Sequence, residues 1–171
     1  MSLFFTSDHH FGHGAARGLF RRPFPALAAM DEAMMSRWNE VVRTDDEVWH
    51  LGDFAVRQPA ARVAELLAAL AGRKHLITGN NDTPATVGLP GWASVSPYAE
   101  LEVDGAFLVL CHYPLRSWNR MGRGALDLHG HSHGRLAPLP RQIGVGVDAW
   151  SFRPVTLAEI RDHLARRRRS R

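Results

Sequence analysis

Apolar residues in this chain come in short runs that stop at clusters of Asp, Asn, Gly and His. The opening run, Leu3-Phe4-Phe5, is β-prone and breaks at Asp8-His9-His10. Over 30–42, Met30, Ala33, Met34, Trp38 and Val41 recur at helical spacing, with Asp31 and Glu32 where a helix dipole favours acids. Thr44-Asp45-Asp46 reads as a turn, and 47–51 as a second strand that stops at Gly52-Asp53-Phe54. A second helix is expected over 59–70, opened by Pro59 and closed before Gly72. The next strand, 74–78, ends in Gly79-Asn80-Asn81-Asp82. Strand, helix, strand, helix, strand is the α/β pattern, in which parallel strands present functional groups at their C-terminal edge.

The second half changes character. The segment 92–111 reads as strands around a tight Asp104-Gly105 turn, and 106–111 stops at His112-Tyr113-Pro114. A short apolar stretch, 125–128, stops at His129-Gly130-His131-Ser132-His133-Gly134. A further strand over 143–148 ends in Asp148, and Thr156 caps a last helix over 157–165. The prolines of Arg22-Pro23-Phe24-Pro25 exclude a regular element there. No repeat, low-complexity linker or second-domain boundary interrupts the pattern, so 1–171 is expected to be one domain with a basic tail at 166–171.

Composition narrows the class. At 171 residues, 45% of them hydrophobic, the chain can bury a substantial core. No apolar run approaches a membrane span, and the N-terminus lacks the basic stretch of a signal peptide, so the expected compartment is the cytoplasm, with no membrane partner. The single cysteine, Cys111, excludes an internal disulfide and a Cys-based zinc knuckle; at the end of an apolar run it reads as a buried small hydrophobe. Much of the formal charge of +4 is local, in Arg166-Arg167-Arg168-Arg169 and Arg171. A solvated helix end is the plainer reading of that run, and a contact with nucleic acid the other.

Histidine changes the picture most, because several of its ten copies recur where apolar runs stop. Five such stops carry metal-type ligands in order: Asp8 and His10, then Asp53, Asn80, His112, and finally His131 and His133. Carboxylate and amide oxygens suit hard divalent cations, and imidazole suits Mn, Fe and Zn. The set is too large for one tetrahedral ion and fits two, with a shared aspartate for which Asp53 is the natural candidate. Gly52, Gly79 and Gly130 each precede a ligand, where a Cβ would obstruct close approach. Turn glycines beside polar turn residues explain any one cluster, but not five in order.

The blocks Asp8-x-His10, Gly52-Asp53, Gly79-Asn80-x-Asp82, His112 and Gly130-His131-Ser132-His133 resemble those of the calcineurin-like metallophosphoesterases. The resemblance spans nearly the whole chain. The flanks, residues 5–13 and 48–54, are similar to small stand-alone bacterial and phage members. The resemblance implies an α/β fold, a four-layered α/β/β/α sandwich with two mixed sheets and a dimetal site at the strand C-terminal ends. It implies one ion on Asp8, His10, Asp53 and His133 and a second on Asp53, Asn80, His112 and His131, with Mn expected first and Fe, Zn or Ni as alternatives. It implies a metal-dependent phosphoric ester hydrolase that cleaves a small phosphodiester or phosphomonoester by in-line attack of a metal-bridging hydroxide.

One position departs from the family's Gly-Asn-His-Asp block: Asn81 stands where the His would be. An amide can hydrogen-bond a phosphate oxygen but cannot act as a general acid near pH 7. His13, on the loop beside Asp8, is the expected substitute, ahead of His9, which strand alternation turns away from Asp8 and His10. Asp82, without that His, is expected to brace its loop. Asp148 and His129 are candidate partners for the ligand imidazoles. Arg17, Arg57 and Arg116 are candidates for holding substrate phosphate. Two other readings compete: a nuclease acting on DNA or RNA, supported by the basic tail alone, and a non-catalytic scaffold of the same fold, opposed by the complete ligand set.

Overall fold

A computed structural model describes residues 1–137 and 139–169 of the chain; Pro138 and the end of the basic tail, Ser170 and Arg171, lie outside the described residues. The first half runs β1 (Leu3–Thr6), α1 (Ala16–Leu19), α2 (Leu27–Val41), β2 (Glu47–His50), α3 (Ala60–Ala69), β3 (Arg73–Ile77), α4 (Pro84–Val87) and β4 (Ser94–Ser96). The second runs β5 (Tyr98–Val103), β6 (Ala106–Cys111), β7 (Leu126–His129), β8 (Gln142–Gly144), β9 (Val155–Thr156) and α5 (Leu157–Arg169). These strands form two mixed sheets. One has the order β4-β3-β2-β1-β9, parallel except for β9; the other has the order β5-β6-β7-β8, with β5 antiparallel and the rest parallel.

The period-two alternation of β1 builds two cores at once. Phe4 faces one way, joining Val48 and Leu76 against Met30, Met34 and Trp38 of α2 and Val63, Leu66 and Leu67 of α3. Phe5 faces the other, joining Ile77 against Leu108, Leu110 and Leu128 of the second sheet. Fully burying one such aromatic is worth roughly 1.5–3 kcal/mol. Leu157 and Ile160 of α5 also enter this second core. Over the far face of the second sheet, Val109 packs with Trp118 and Ala125 from the loop between β6 and β7.

Several boundaries differ from the pattern-based expectation. Helix α2 begins at Leu27, because Leu27-Ala28-Ala29 are good helix formers that extend the periodic stretch. Pro59 is the N-cap of α3, not its first helical residue. Helices α1 and α4 span one turn each, too short for any periodicity to show. The expected strands over 92–111 divide between sheets: β4 joins β3, while β5 and β6 form a hairpin. At its turn Asp104 and Gly105 both have positive φ, 47° and 72°, the geometry that matches strand twist. The strand expected over 143–148 stops at Gly144, and Asp148 lies in a 3-10 turn, Val147–Ala149. Cys111 is only partly buried, since it ends β6 opposite the exposed Tyr98 of edge strand β5. No helix among the described residues is long and apolar enough to cross a membrane.

Candidate metal centre

Because β1, β2 and β3 are parallel in one sheet, and β6 and β7 in the other, their C-terminal ends gather at one edge. Asp8 and His10 follow β1, Asp53 follows β2, Asn80 follows β3, His112 follows β6, and His131 and His133 follow β7. A bridge between Ser7 and Gly146 ties the two sheets together at this edge.

The side chains are aimed by turns, not by strand alternation as the Asp8-x-His10 spacing suggested. β1 ends at Thr6, and Asp8 (φ 59°), His10 (53°), Asp53 (59°), His131 (65°) and His133 (48°) all occupy left-handed backbone. For a non-glycine residue that conformation costs on the order of 1–2 kcal/mol. Five of the seven candidate positions thus hold local strain that the surrounding hydrogen bonds must offset.

Asp53 sits between two imidazoles. Its Oδ2 is 3.3 Å from Nε2 of His10, and its Oδ1 is 3.7 Å from Nε2 of His112. Burial alone would raise its pKa. The His10 imidazole, the Asn81 backbone N–H, the His112 charge and the Asn81 amide outweigh burial and hold the carboxyl below the usual range. On one side, carboxylate and imidazole atoms of Asp8, His10 and His133 lie within 4.8 Å of one another, as do those of Asp8, Asp53 and His112 on the other. Asn80 Oδ1 adds an amide oxygen, 3.1 Å from His112 Nε2 and 3.0 Å from His131 Nδ1.

The donor chemistry fits cations. Nδ1 of His112 donates to the Leu51 carbonyl at 2.7 Å, which leaves its Nε2 with a lone pair facing the Asn80 and Asp53 oxygens. Acceptors facing acceptors are reconciled by a cation among them. Nδ1 of His133 donates to Asp148 at 2.8 Å, so its Nε2, 3.9 Å from Asp8, is likewise free to ligate. His10 Nε2 is buried with no hydrogen-bond partner among the described residues. An orphaned imidazole nitrogen beside two carboxylates is costly without a ligand to bind.

Backbone proximity explains two of the glycines. A Cβ on Gly52, whose φ is +89°, would lie 2.5 Å from the Gly79 nitrogen and 2.7 Å from His112 Nδ1. One on Gly79 would run into Asp53. Asp82 braces this crossing as expected: Oδ2 accepts from the Asp53 and Gly79 N–H groups, each at 2.8 Å, and Oδ1 from Phe54 N–H at 3.0 Å.

The remaining candidates are placed as follows. Asn81 donates its amide to Asp53 Oδ2 at 2.6 Å. His13 lies at the mouth, its Nδ1 3.2 Å from that of His10, and burial followed by the His10 charge lowers its pKa. Arg57 is close enough to contribute to that lowering. Arg17 donates to the Pro25 carbonyl, and Arg116 is exposed without a hydrogen bond or ion pair among the described residues. Asp148 does meet a ligand imidazole, whereas the His129 ring bonds the Gly130 carbonyl and meets none. His9 points away from the cluster, into a buried pair with His50. Three further residues, Arg22, Phe20 and Tyr113, join the cluster in the fold. Arg22 bonds Asp148 and the Asp8 carbonyl, Phe20 stacks on His133, and Tyr113 meets His112 and His131 edge-on. Arg22 and Phe20 reach the cluster only through the fold, and Tyr113, though it follows His112 directly, meets His131 only through it. A cavity of about 760 Å³ lined by Arg120, Arg123, Arg141 and Arg161 lies at the N-terminal ends of β6 and β7, away from this edge.

With this donor set brought to one edge of two mixed sheets, the chain has the arrangement that its resemblance to the calcineurin-like metallophosphoesterases implies. It belongs to the same family as the gene 66 protein of Mycobacterium phage D29, with 31% identity over 180 residues, 87% of this chain and 89% of that protein. Protein MJ1445 of Methanocaldococcus jannaschii is 29% identical over 163 residues, 91% of this chain and 86% of its own. The solved structure of AQ665, a protein of unknown function from Aquifex aeolicus, shares the fold: its TM-score is 0.74 at 22% identity, over 94% of this chain and 97% of that one. No family model matches the chain.

Proposed function

We propose that the chain is a dimetal-dependent phosphoesterase that hydrolyses a small phosphodiester or phosphomonoester. The observation that carries this reading is Asp53, whose two carboxylate oxygens face two different imidazoles, His10 and His112, as a ligand shared by two ions must. Asp8, His10, Asp53 and His133 would hold one ion, and Asp53, Asn80, His112 and His131 the other. When bound, two divalent ions supply positive charge to the phosphoryl oxygens and bring the pKa of water toward neutrality. Mn is the ion to load first, with Fe, Zn and Ni compatible with the same donors.

The chain's own groups divide the remaining work. Leu51 and Asp148 fix the tautomers of His112 and His133. Asn81 spends one amide N–H on Asp53, and its second is available for a phosphate oxygen. An amide cannot protonate a leaving group, and His13 at the mouth is our proposed source of that proton. Arg57 and Arg116 remain candidates for the substrate's other oxygens.

Turnover of bis-p-nitrophenyl phosphate and p-nitrophenyl phosphate with Mn tests the reading. Asp53→Asn is expected to lower turnover of whichever ester is cleaved by at least about a hundredfold; unchanged turnover would overturn the mechanism. His13→Asn is expected to spare these esters, because p-nitrophenolate leaves without a proton. It should lower kcat on an alkyl ester by roughly a hundredfold. Equal losses on aryl and alkyl esters would remove His13 from the acid role.

A further inference from the structure

We infer that Arg22 is a positioning residue for one of the two cation positions, the clamp through which the 17–25 segment fixes Asp8 and His133. The inference rests on the dimetal reading above. The Arg22 side chain is fully buried; apart from weak contacts of Nη1 with the Met30 and Met34 sulfurs at 3.8 Å, its hydrogen bonds go to the turn that carries Asp8 and His10 or to Asp148. Nη2 donates to the Asp8 carbonyl at 2.6 Å and to Asp148 Oδ2 at 2.9 Å. Nη1 donates to the His9 carbonyl at 2.7 Å, and Nε to Asp148 Oδ1 at 2.8 Å. Asp148 Oδ2 in turn accepts from His133 Nδ1 at 2.8 Å.

One guanidinium therefore joins both halves of a ligand set that the chain delivers from opposite ends of the sequence. The left-handed turn at Asp8 leaves the carbonyls of Asp8 and His9 buried, where unpaired they would cost about 1–3 kcal/mol each. Arg22 supplies both partners. Its planar fork also grips the Asp148 carboxylate through two nitrogens, a geometry that a lysine cannot copy. Two residues earlier, Phe20 stacks on the His133 ring at 3.4 Å with the planes 10° apart, and meets His10 edge-on at 5.1 Å. Segment 17–25 is thus a structural part of the cation site.

The test is metal binding, read without any substrate. Chain stripped by a chelator is titrated with Mn(II), with bound ion counted by elemental analysis and affinities taken from the free-ion signal in electron paramagnetic resonance. Wild type is expected to take two ions. Arg22→Met should keep one affinity and weaken the other by roughly tenfold to a hundredfold. Arg22→Lys, which retains the charge and folds more readily, should weaken the same ion less, and Asp148→Asn should weaken it too. Two unchanged affinities in Arg22→Met and Arg22→Lys would overturn the inference. So would a parallel weakening of both ions that tracks a fall in urea midpoint, since that is the mark of a merely structural role. A folded wild type that takes up no second ion would instead overturn the dimetal reading, and this inference with it.

Discussion

Asp82 shows how a single side chain holds the cluster without joining it. Its carboxylate accepts from three backbone N–H groups, those of Asp53, Phe54 and Gly79, on two loops that cross at the Gly52–Gly79 contact. Burial raises its pKa, and those hydrogen bonds oppose the rise. Asp82→Ala would strand three donors, and the expected loss is about 2–3 kcal/mol in urea denaturation together with a clear fall in turnover. Asp82→Asn, which keeps one acceptor oxygen, should fall between the two. Undiminished stability in Asp82→Ala would show that water replaces the carboxylate. At this scale the seven candidate positions were legible as a set, because Asp, Asn and His at the ends of apolar runs have few other reasons to recur in order, and the fold brings them to one edge. Arg22 was not legible. A buried guanidinium and a solvated one are the same letter, and only burial separates them.

Elements were legible where their periodicity was long. α2, α3 and α5 have enough turns for a face to show, whereas α1 and α4 do not. The cap of α5 is readable as Thr156-x-x-Glu159, and the structure completes it: Glu159 N–H donates to Thr156 Oγ1 at 3.3 Å, and Thr156 N–H to Glu159 Oε2 at 2.9 Å. Thr156→Ala should cost about 1 kcal/mol in urea denaturation and leave turnover unchanged, because α5 carries none of the proposed ligands. A simultaneous loss of activity would mean that α5 transmits strain to the centre through β9 and β1. Which strand joins which sheet was not legible. The segment 92–111 gives the same alternating signal on both sides of Pro97, yet β4 pairs with β3 and β5 with β6.

At the scale of the whole molecule, the core beside the centre contains a pair of neutral imidazoles. His9 Nδ1 and His50 Nε2 are 2.9 Å apart among Phe11, Trp38, Phe54 and Trp92, and the outer nitrogen of each ring has no hydrogen-bond partner among the described residues. Burial lowers both pKa values, that of His50 to about 3. The folded state therefore resists protonation that the unfolded chain accepts below the ordinary value of 6.5. Stability from this source is fully present above pH 6.5 and is lost progressively as pH falls from there toward about 3. In chelator, the urea midpoint should decline across that window, and His50→Leu should flatten the decline. An equally steep decline in His50→Leu would place the acid sensitivity elsewhere.

The sequence by itself determined which chemical groups are available, their order, and the strand ends that deliver them, because those follow from residue type and from local hydrophobic period. The opening Asp8 and His10 belong to that ledger, and so does the departure at Asn81. What only the tertiary structure decided is how the groups are aimed and what holds them there. Asp8, His10, Asp53, His131 and His133 take left-handed backbone without being glycines, so their residue type does not announce it. The clamp from Arg22 to Asp148 closes over 126 positions of chain. Contacts of that span form because packing two sheets buries both partners together, and no local pattern along the chain encodes which distant residue will be there.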